Sequence, residues 1–140
     1  MTDVGPTAVS STTVLVVDDD AMVRDVTSLI LRHAGYDVVL ADNGRQAVDL
    51  VRERGGSVDV VLLDVMMPEM TGHDAFPRLR EAEPDLPVVF FSGFDQSEVA
   101  DHLAGAGAYT SFIAKPYRND ELCAEIARAA ASRQTDDTSG

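Results

Sequence analysis

The chain is poor in cysteine and in basic residues, and each scarcity excludes a class of protein. Its one cysteine, Cys123, excludes an internal disulfide and favours a reducing compartment, so we expect a cytoplasmic protein. Only 11 residues are Lys or Arg, against 24 Asp or Glu, and the formal net charge is −13. Because nucleic acids and anionic membrane surfaces attract clustered positive charge, we expect no direct binding to either.

Long apolar runs are also lacking. No run approaches the roughly 20 residues that a membrane-spanning helix needs, and residues 1–13 lack the basic start and apolar stretch of a signal peptide. The apolar content of 45% with 25% charged residues is typical of a globular protein. We therefore expect a disordered lead-in over residues 1–12, one domain over 13–131 and a flexible tail over 132–140.

Short apolar runs alternate with helical patterns after the lead-in. Strands that alternate with helices along the chain predict the α/β class, with a parallel sheet covered by helices on both faces. The first, third and fourth runs are almost wholly apolar, which is typical of central strands buried on both sides. The predicted strands are residues 13–17, 37–41, 58–63, 87–91 and 110–114.

The spacing of apolar residues predicts a helix after each strand. Val23, Val26, Ile30 and Ala34 recur at helical spacing after the first strand, and Gly35 stands where that helix would end.

Three later helices are predicted, and the last two are marked by their first residues. We expect the third over about 74–82, although Pro77 is tolerated only in a first turn. The fourth opens at Asp95 in a sequence that resembles a capping box, and Asn119 is the expected cap of the fifth.

Polar side chains stand where four of the apolar runs end. Asp18 and Asp19 follow the first run, Asp64 the third, Ser92 the fourth and Lys115 the fifth. Sites in such folds form beyond the carboxyl ends of the strands, so we expect these groups to meet. Clustered carboxylates repel unless a cation joins them, and hard oxygen ligands suit Mg²⁺. A carboxylate there can act as a phosphoryl nucleophile, while an ammonium and a hydroxyl hold the transferred oxygens.

Four segments carry a resemblance to a known family. The segments are VVDDD at 16–20, LLDVMMPEMTG at 62–72, FFSG at 90–93 and AKPY at 114–117. In this order they resemble the receiver domain of two-component response regulators, over residues 13 to about 131. The resemblance implies a flavodoxin-like, doubly wound, five-stranded parallel sheet in strand order 2-1-3-4-5, with five helices.

The resemblance assigns roles to the acidic residues. It implies that Asp64 is the phosphoacceptor and that Mg²⁺ is the cofactor. Asp19 would bind the ion directly and Asp18 mainly through water. Asp64 itself and the backbone carbonyl of Met66 would complete the protein ligands.

The resemblance also implies how the phosphoryl group is sensed. Ser92 and Lys115 would bind its oxygens, and Ser92 with Phe112 would act as the switch. An aromatic residue at position 112 packs in the fold with or without a switching role. The partner-binding surface would lie on the fourth helix, fifth strand and fifth helix.

The implied function is a phosphorelay switch without separate substrate turnover. A histidine kinase or a histidine phosphotransfer protein would donate the phosphoryl group, and an unknown downstream protein would read the result. The FFSG and AKPY segments also resemble receivers attached to hybrid histidine kinases.

Two alternatives remain at this stage. Asp18-x-Asp20 after a buried strand resembles the opening motif of haloacid-dehalogenase-type phosphatases, which would make the protein an enzyme. A degenerate receiver would bind partners without being phosphorylated.

Overall fold

The computed structural model describes residues 12–54, 57–64, 72–92, 110–114 and 118–139. Within these ranges, parallel strands form one sheet in the order β2-β1-β3-β4-β5, which confirms the α/β class. The strands are β1 (Thr13–Val17), β2 (Asp37–Ala41), β3 (Val60–Asp64), β4 (Val88–Ser92) and β5 (Thr110–Ala114). The described helices are α1 (Ala21–His33), α2 (Gly44–Arg54), α3 (Gly72–Ala82) and α4 (Asn119–Ser139).

The sheet continues one residue further on two strands than the sequence predicts. Asp64 is the last residue of β3 and is paired with Phe91, and Ser92 is the last residue of β4 and is paired with Ala114. Both strands also begin later than predicted, β3 at Val60 and β4 at Val88. Pairing with the neighbouring strand extends to the polar residue because parallel ladder bonds join backbone groups whatever the side chain.

Two local motifs set the limits of α1. The carboxylate of Asp20 accepts hydrogen bonds from the backbone N–H groups of Met22 and Val23, at 2.9 and 3.3 Å, and caps the first turn. At the other end Gly35 has φ 103°, and the N–H of Tyr36 donates to the carbonyl of Leu31. This is a Schellman motif, which confirms that the helix ends at the glycine.

The buried side of α1 differs from the predicted stripe. Leu31 is fully buried, and Val23 and Ile30 are partly buried against the same core. Val26, which belongs to the predicted stripe, is 50% exposed. The helix carries apolar residues on more than one side, so periodicity alone does not define the side that faces the sheet.

Helices cover both faces of the sheet. On one face α2 and α3 pack together over a core that includes Val48, Val51 and Leu79. On the other face α1 and α4 cover a second core, to which Leu122 and Ile126 contribute fully buried side chains. The central strands are therefore enclosed on both sides.

The helix α3 contains Pro77 in its interior, so the expectation that Pro77 falls in a first turn is wrong. Tertiary contacts compensate for the backbone hydrogen bond that proline cannot donate. Leu79 is fully buried, and the ring of Phe76 lies 5.4 Å from that of Phe90. The guanidinium of Arg80 lies 5.0 Å from the Phe76 ring and donates to two carbonyls beyond the helix.

The last helix starts and ends differently from the prediction. Its N-cap is Arg118 rather than Asn119, because the N–H of Arg118 donates to the Glu121 carboxylate at 2.9 Å, as in a capping box. The helix continues to Ser139, past the predicted start of a flexible tail at Ser132. The alanines at 124, 127 and 129–131 favour helix up to the predicted boundary, whereas the Ser, Thr and Asp residues beyond it have no such preference.

Some predictions lie outside the described residues. They include the lead-in before residue 12 and the fourth predicted helix at Asp95, so the helix from Asn119 is labelled α4. Among the described residues, no helix has the combination of length and apolarity that crossing a bilayer requires.

Candidate metal and phosphoacceptor site

The register of the two central strands brings the acidic residues together. Val17 of β1 is paired with Leu63 of β3, and the residues after them are Asp18 and Asp64. Both strands are parallel and buried, so their carboxyl ends deliver these side chains to the same edge of the sheet. Asp18 is held at that edge by its N–H, which donates to the carbonyl of Ala41 on β2.

Three carboxylates form one cluster at this edge. Oxygen atoms of Asp18, Asp19 and Asp64 all lie within 4.8 Å of one another. Asp18 is 1% exposed and Asp64 is 5% exposed, whereas Asp19 is open to solvent. The cluster thus consists of two buried carboxylates and one exposed carboxylate, and it is open to solvent on the side of Asp19.

The loop after β1 is fixed by its own hydrogen bonds. One carboxylate oxygen of Asp18 accepts from the N–H of Asp20 at 2.9 Å. The guanidinium of Arg24 donates to the backbone carbonyl of Asp18 at 2.7 Å. Because Asp20 also caps α1, the helix and the loop form one unit, and Asp18 keeps a defined orientation.

The cluster fits a hard divalent cation. All three potential ligands are carboxylate oxygens, a donor set that favours Mg²⁺ or Ca²⁺ over softer transition metals. Bringing ionised carboxylates together out of water costs free energy unless positive charge offsets their repulsion. A cation held by Asp18, Asp19 and Asp64 would supply that charge.

The other predicted site residues are described less fully. Ser92 ends β4 next to the strand that carries Asp64, and its backbone is paired with Ala114. Phe112 is paired with Phe90 in the sheet. For Ser92 and Phe112 the structure describes the backbone only. Two further predicted residues, Met66 and Lys115, lie outside the described residues.

Sequence reasoning missed Arg24. Its backbone N–H donates to the carbonyl of Asp20 in the first turn of α1, and its side chain reaches back to the loop. The available signal was an arginine one helical turn after the capping aspartate, on the side of the helix that faces the acids. Arg24 touches the loop that carries the acids, so it is a positioning residue.

An exposed apolar surface begins beside the acidic cluster. Met22, Val26 and Leu29 are 74%, 50% and 67% exposed, and their spacing of four and three residues places them on one side of α1. We call these three residues the α1 apolar surface. Soluble proteins rarely expose contiguous apolar side chains without a binding role.

An open cavity of about 530 Å³ continues this surface between α1 and the first turn of α4. Leu29, His33 and Cys123 are among the residues that line it. Burial raises the pKa of the Cys123 thiol, and the nearby Asp120 carboxylate raises it further. Burial also raises the pKa of Tyr36, with a smaller contribution from Cys123.

Comparison with known proteins identifies several similar chains. The sequence profile of the response regulator receiver domain matches residues 14–127. Response regulator MprA of Mycolicibacterium vanbaalenii is 40% identical over 126 residues, which cover 89% of this chain and 52% of MprA. Sensor kinase CckA of Brucella abortus is 37% identical over 116 residues, which cover 83% of this chain and 12% of the kinase.

The fold likeness agrees with the sequence likeness. The structure of chemotaxis protein CheY4 of Vibrio cholerae superposes with a TM-score of 0.78 at 29% identity, covering 86% of this chain and 99% of CheY4. The chain spans between 12% and 52% of the length of the first curated relatives it matches. It therefore corresponds to one part of those proteins.

Proposed function

Because this chain belongs to the response regulator receiver domain family, we propose that it is a phosphoacceptor switch of two-component signalling with Asp64 as the acceptor. The observation that carries the proposal is the cluster of Asp18, Asp19 and Asp64 at the carboxyl edge of the sheet. Asp64 is the member that ends the central strand β3, and its backbone position is fixed by pairing with Phe91 of β4.

The proposed reaction transfers a phosphoryl group from a phosphohistidine of a donor protein. A carboxylate oxygen of Asp64 attacks the phosphorus, and the P–N bond to the imidazole breaks with its electron pair remaining on the nitrogen. The product is an acyl phosphate on Asp64. Hydrolysis of that acyl phosphate returns the carboxylate and inorganic phosphate, which resets the switch.

The remaining site residues stabilise charge. Mg²⁺, held by Asp18, Asp19, Asp64 and the carbonyl of Met66, would neutralise negative charge on the transferred oxygens when bound. The Ser92 hydroxyl and the Lys115 ammonium bind phosphoryl oxygens in this proposal. Their support is the sheet register, since Ser92 ends the strand next to Asp64 and Lys115 follows the residue paired with Ser92.

The donor docks on the α1 apolar surface in this proposal. The helix begins directly after the loop that carries Asp18 and Asp19, so a protein seated on Met22, Val26 and Leu29 lies next to the acidic cluster. Apolar contact supplies affinity that does not depend on the net charge of −13.

Phosphorylation then shifts the protein between two conformations. Ser92 and Phe112 transmit the change, and the partner-binding surface includes β5, α4 and the helix that the sequence predicts from Asp95. That predicted helix would give the fold the five helices of the flavodoxin-like arrangement. A downstream protein that binds one conformation better than the other reads the signal.

The acceptor assignment is tested by chemical phosphorylation. Incubation with a small phosphodonor and Mg²⁺ should phosphorylate the wild-type chain, whereas Asp64→Asn should stay unlabelled because an amide oxygen is a poor nucleophile. Asp37→Asn, which alters an exposed acid at the start of β2, is the matched control and should label like wild type. Intact mass in the presence of Mg²⁺ measures the label. Equal labelling of Asp64→Asn would exclude Asp64, and an unlabelled but folded wild type would favour a degenerate receiver.

A further inference from the structure

The groove between α2 and α3 is lined mainly by arginine. Arg45, Asp49 and Arg52 lie on one side of α2 at spacings of four and three residues, and Arg78 reaches the groove from α3. Together with Val48 they enclose a cavity of about 250 Å³. Val48 is only 4% exposed, so the cavity has an apolar floor and charged walls.

The charges of this groove are not balanced from within. Three guanidinium groups face a single carboxylate among the lining residues. Nη2 of Arg52 also lies 3.8 Å from Oε1 of Glu81, but both side chains are more than half exposed. Such exposed ion pairs contribute little to stability. Over the parts of the chain that the structure describes, no hydrogen bond or ion pair engages the side chains of Arg45 and Arg78.

Arg45 stands at an unfavourable place in its helix. It belongs to the first turn of α2, where the helix dipole favours acidic side chains, and that turn contains none. Asn43 caps the turn by accepting from the N–H of Gln46 at 2.8 Å, so the cap does not need the arginine. An anion bound between Arg45 and Arg78 would offset the mutual repulsion of the two arginines. It would also interact favourably with the positive end of the helix dipole.

From this groove we infer a second binding site, one for a single oxyanion such as a phosphate or carboxylate group. The planar guanidinium fork matches two oxygens of either group. The net charge of −13 repels a polyanion such as nucleic acid at long range, so a compact anion recognised at short range fits best. The anion is either a free phosphate compound or an acidic side chain of a partner protein. The inference does not depend on phosphorylation of Asp64.

Titration of inorganic phosphate into the ¹⁵N-labelled full chain tests the site, in buffer freed of divalent ions by a chelating resin and with chloride adjusted to hold ionic strength constant. The Nε–H signals of Arg45 and Arg78 should shift and saturate. Arg45→Gln with Arg78→Gln should weaken binding by at least about tenfold, whereas the matched control Arg128→Gln, on α4 outside the groove, should leave it unchanged. The double lysine variant keeps the charges without the forks and should bind with intermediate affinity.

A capped peptide containing glutamate separates the two sources of the anion. Tighter binding by the peptide than by phosphate would indicate a partner protein, and the reverse would indicate a free phosphate compound. Shifts that grow without saturation, or an unchanged affinity in the folded double glutamine variant, would overturn the site. Because divalent ions are removed beforehand and no phosphodonor is present, failure here leaves the test of Asp64 unaffected.

Discussion

Helices bury both faces of the sheet, but the outer surfaces of those helices differ. On one face α2 and α3 pack together, and Phe76 and Phe90 join the helix layer to β4. On the other face α1 and α4 bury Leu31 and Leu122 completely, yet α1 also presents apolar side chains to solvent. All large apolar side chains classed as exposed among the described residues, Met22, Val26 and Leu29, belong to α1.

This difference separates the residues that form the fold from those available for binding. Between α2 and α3 the surface is the charged groove proposed to bind an anion, and the apolar residues of these helices are already used in the core. The outer side of α1 is apolar, although Leu31 and its neighbours on the inner side already pack into the core. The extra apolar residues therefore contribute little to folding, and their place beside the acidic cluster suits a docking role.

The comparison is tested most strongly by two leucines two residues apart on α1. Leu31→Ala should destabilise the protein by about 2–5 kcal/mol, because Leu31 is fully buried and its loss leaves a cavity. Leu29→Ala should change the free energy of unfolding by no more than about 0.5 kcal/mol, because Leu29 is 67% exposed. Urea unfolding of both variants beside wild type measures the difference. A similar loss for both would mean that the α1 apolar surface is part of the core.

Much of the fold follows from local pattern. The limits of β1 and β2 and the end of α1 at Gly35 are as predicted, because continuous apolar runs and a glycine with positive φ are strong local signals. The side of α1 that faces the sheet was not predictable, because Val26 fits helical spacing as well as Ile30 does. Its orientation depends on how the helix packs on β1 and β2. The interior position of Pro77 likewise depends on tertiary contacts that no local rule contains.

The candidate site shows the same division. Apolar strands that end in acids predict that Asp18 and Asp64 meet, and the register of β1 and β3 brings them together. Arg24 was missed because its role depends on a side chain folding back to the carbonyl of Asp18. Sequence spacing does not specify such a contact. The roles of Ser92 and Lys115 stay predictions that phosphorylation experiments must test.

A smaller effect is expected for donor docking. Replacing Met22 and Leu29 together by serine should slow phosphotransfer from a cognate donor protein by about tenfold or more, since central apolar anchors dominate interface energy. Phosphorylation by a small phosphodonor should be unchanged, because the carboxylate cluster is not altered. The comparison uses initial rates with the donor protein and with the small phosphodonor, measured where the variant and the wild type are both fully folded.

The internal control in this experiment is the small phosphodonor. A double variant that loses both reactions has a damaged acceptor site, which would argue against a separate docking surface. An unchanged rate from the donor protein would place docking elsewhere and leave the α1 apolar surface without this function.

The smallest effect concerns the cavity between α1 and α4. Burial raises the pKa of Cys123 and of Tyr36, and both groups are neutral when protonated. The folded state thus holds these protons more tightly than the unfolded state does. The stability they contribute is fully present below the unfolded pKa of a thiol, about 8.5, and is lost as pH rises through the raised folded values.

Cys123→Ala removes the thiol and should flatten the decline in stability above about pH 8.5, while Tyr36→Phe should flatten its more alkaline part. Urea midpoints measured from neutral to alkaline pH give the slopes. Because the cavity is open to solvent, the change should be small beside that of Leu31→Ala. Slopes that coincide for wild type and Cys123→Ala would show that the cavity leaves the thiol as hydrated as in the unfolded chain. Water would then reach the thiol between α1 and α4 freely, although the core beneath these helices is buried.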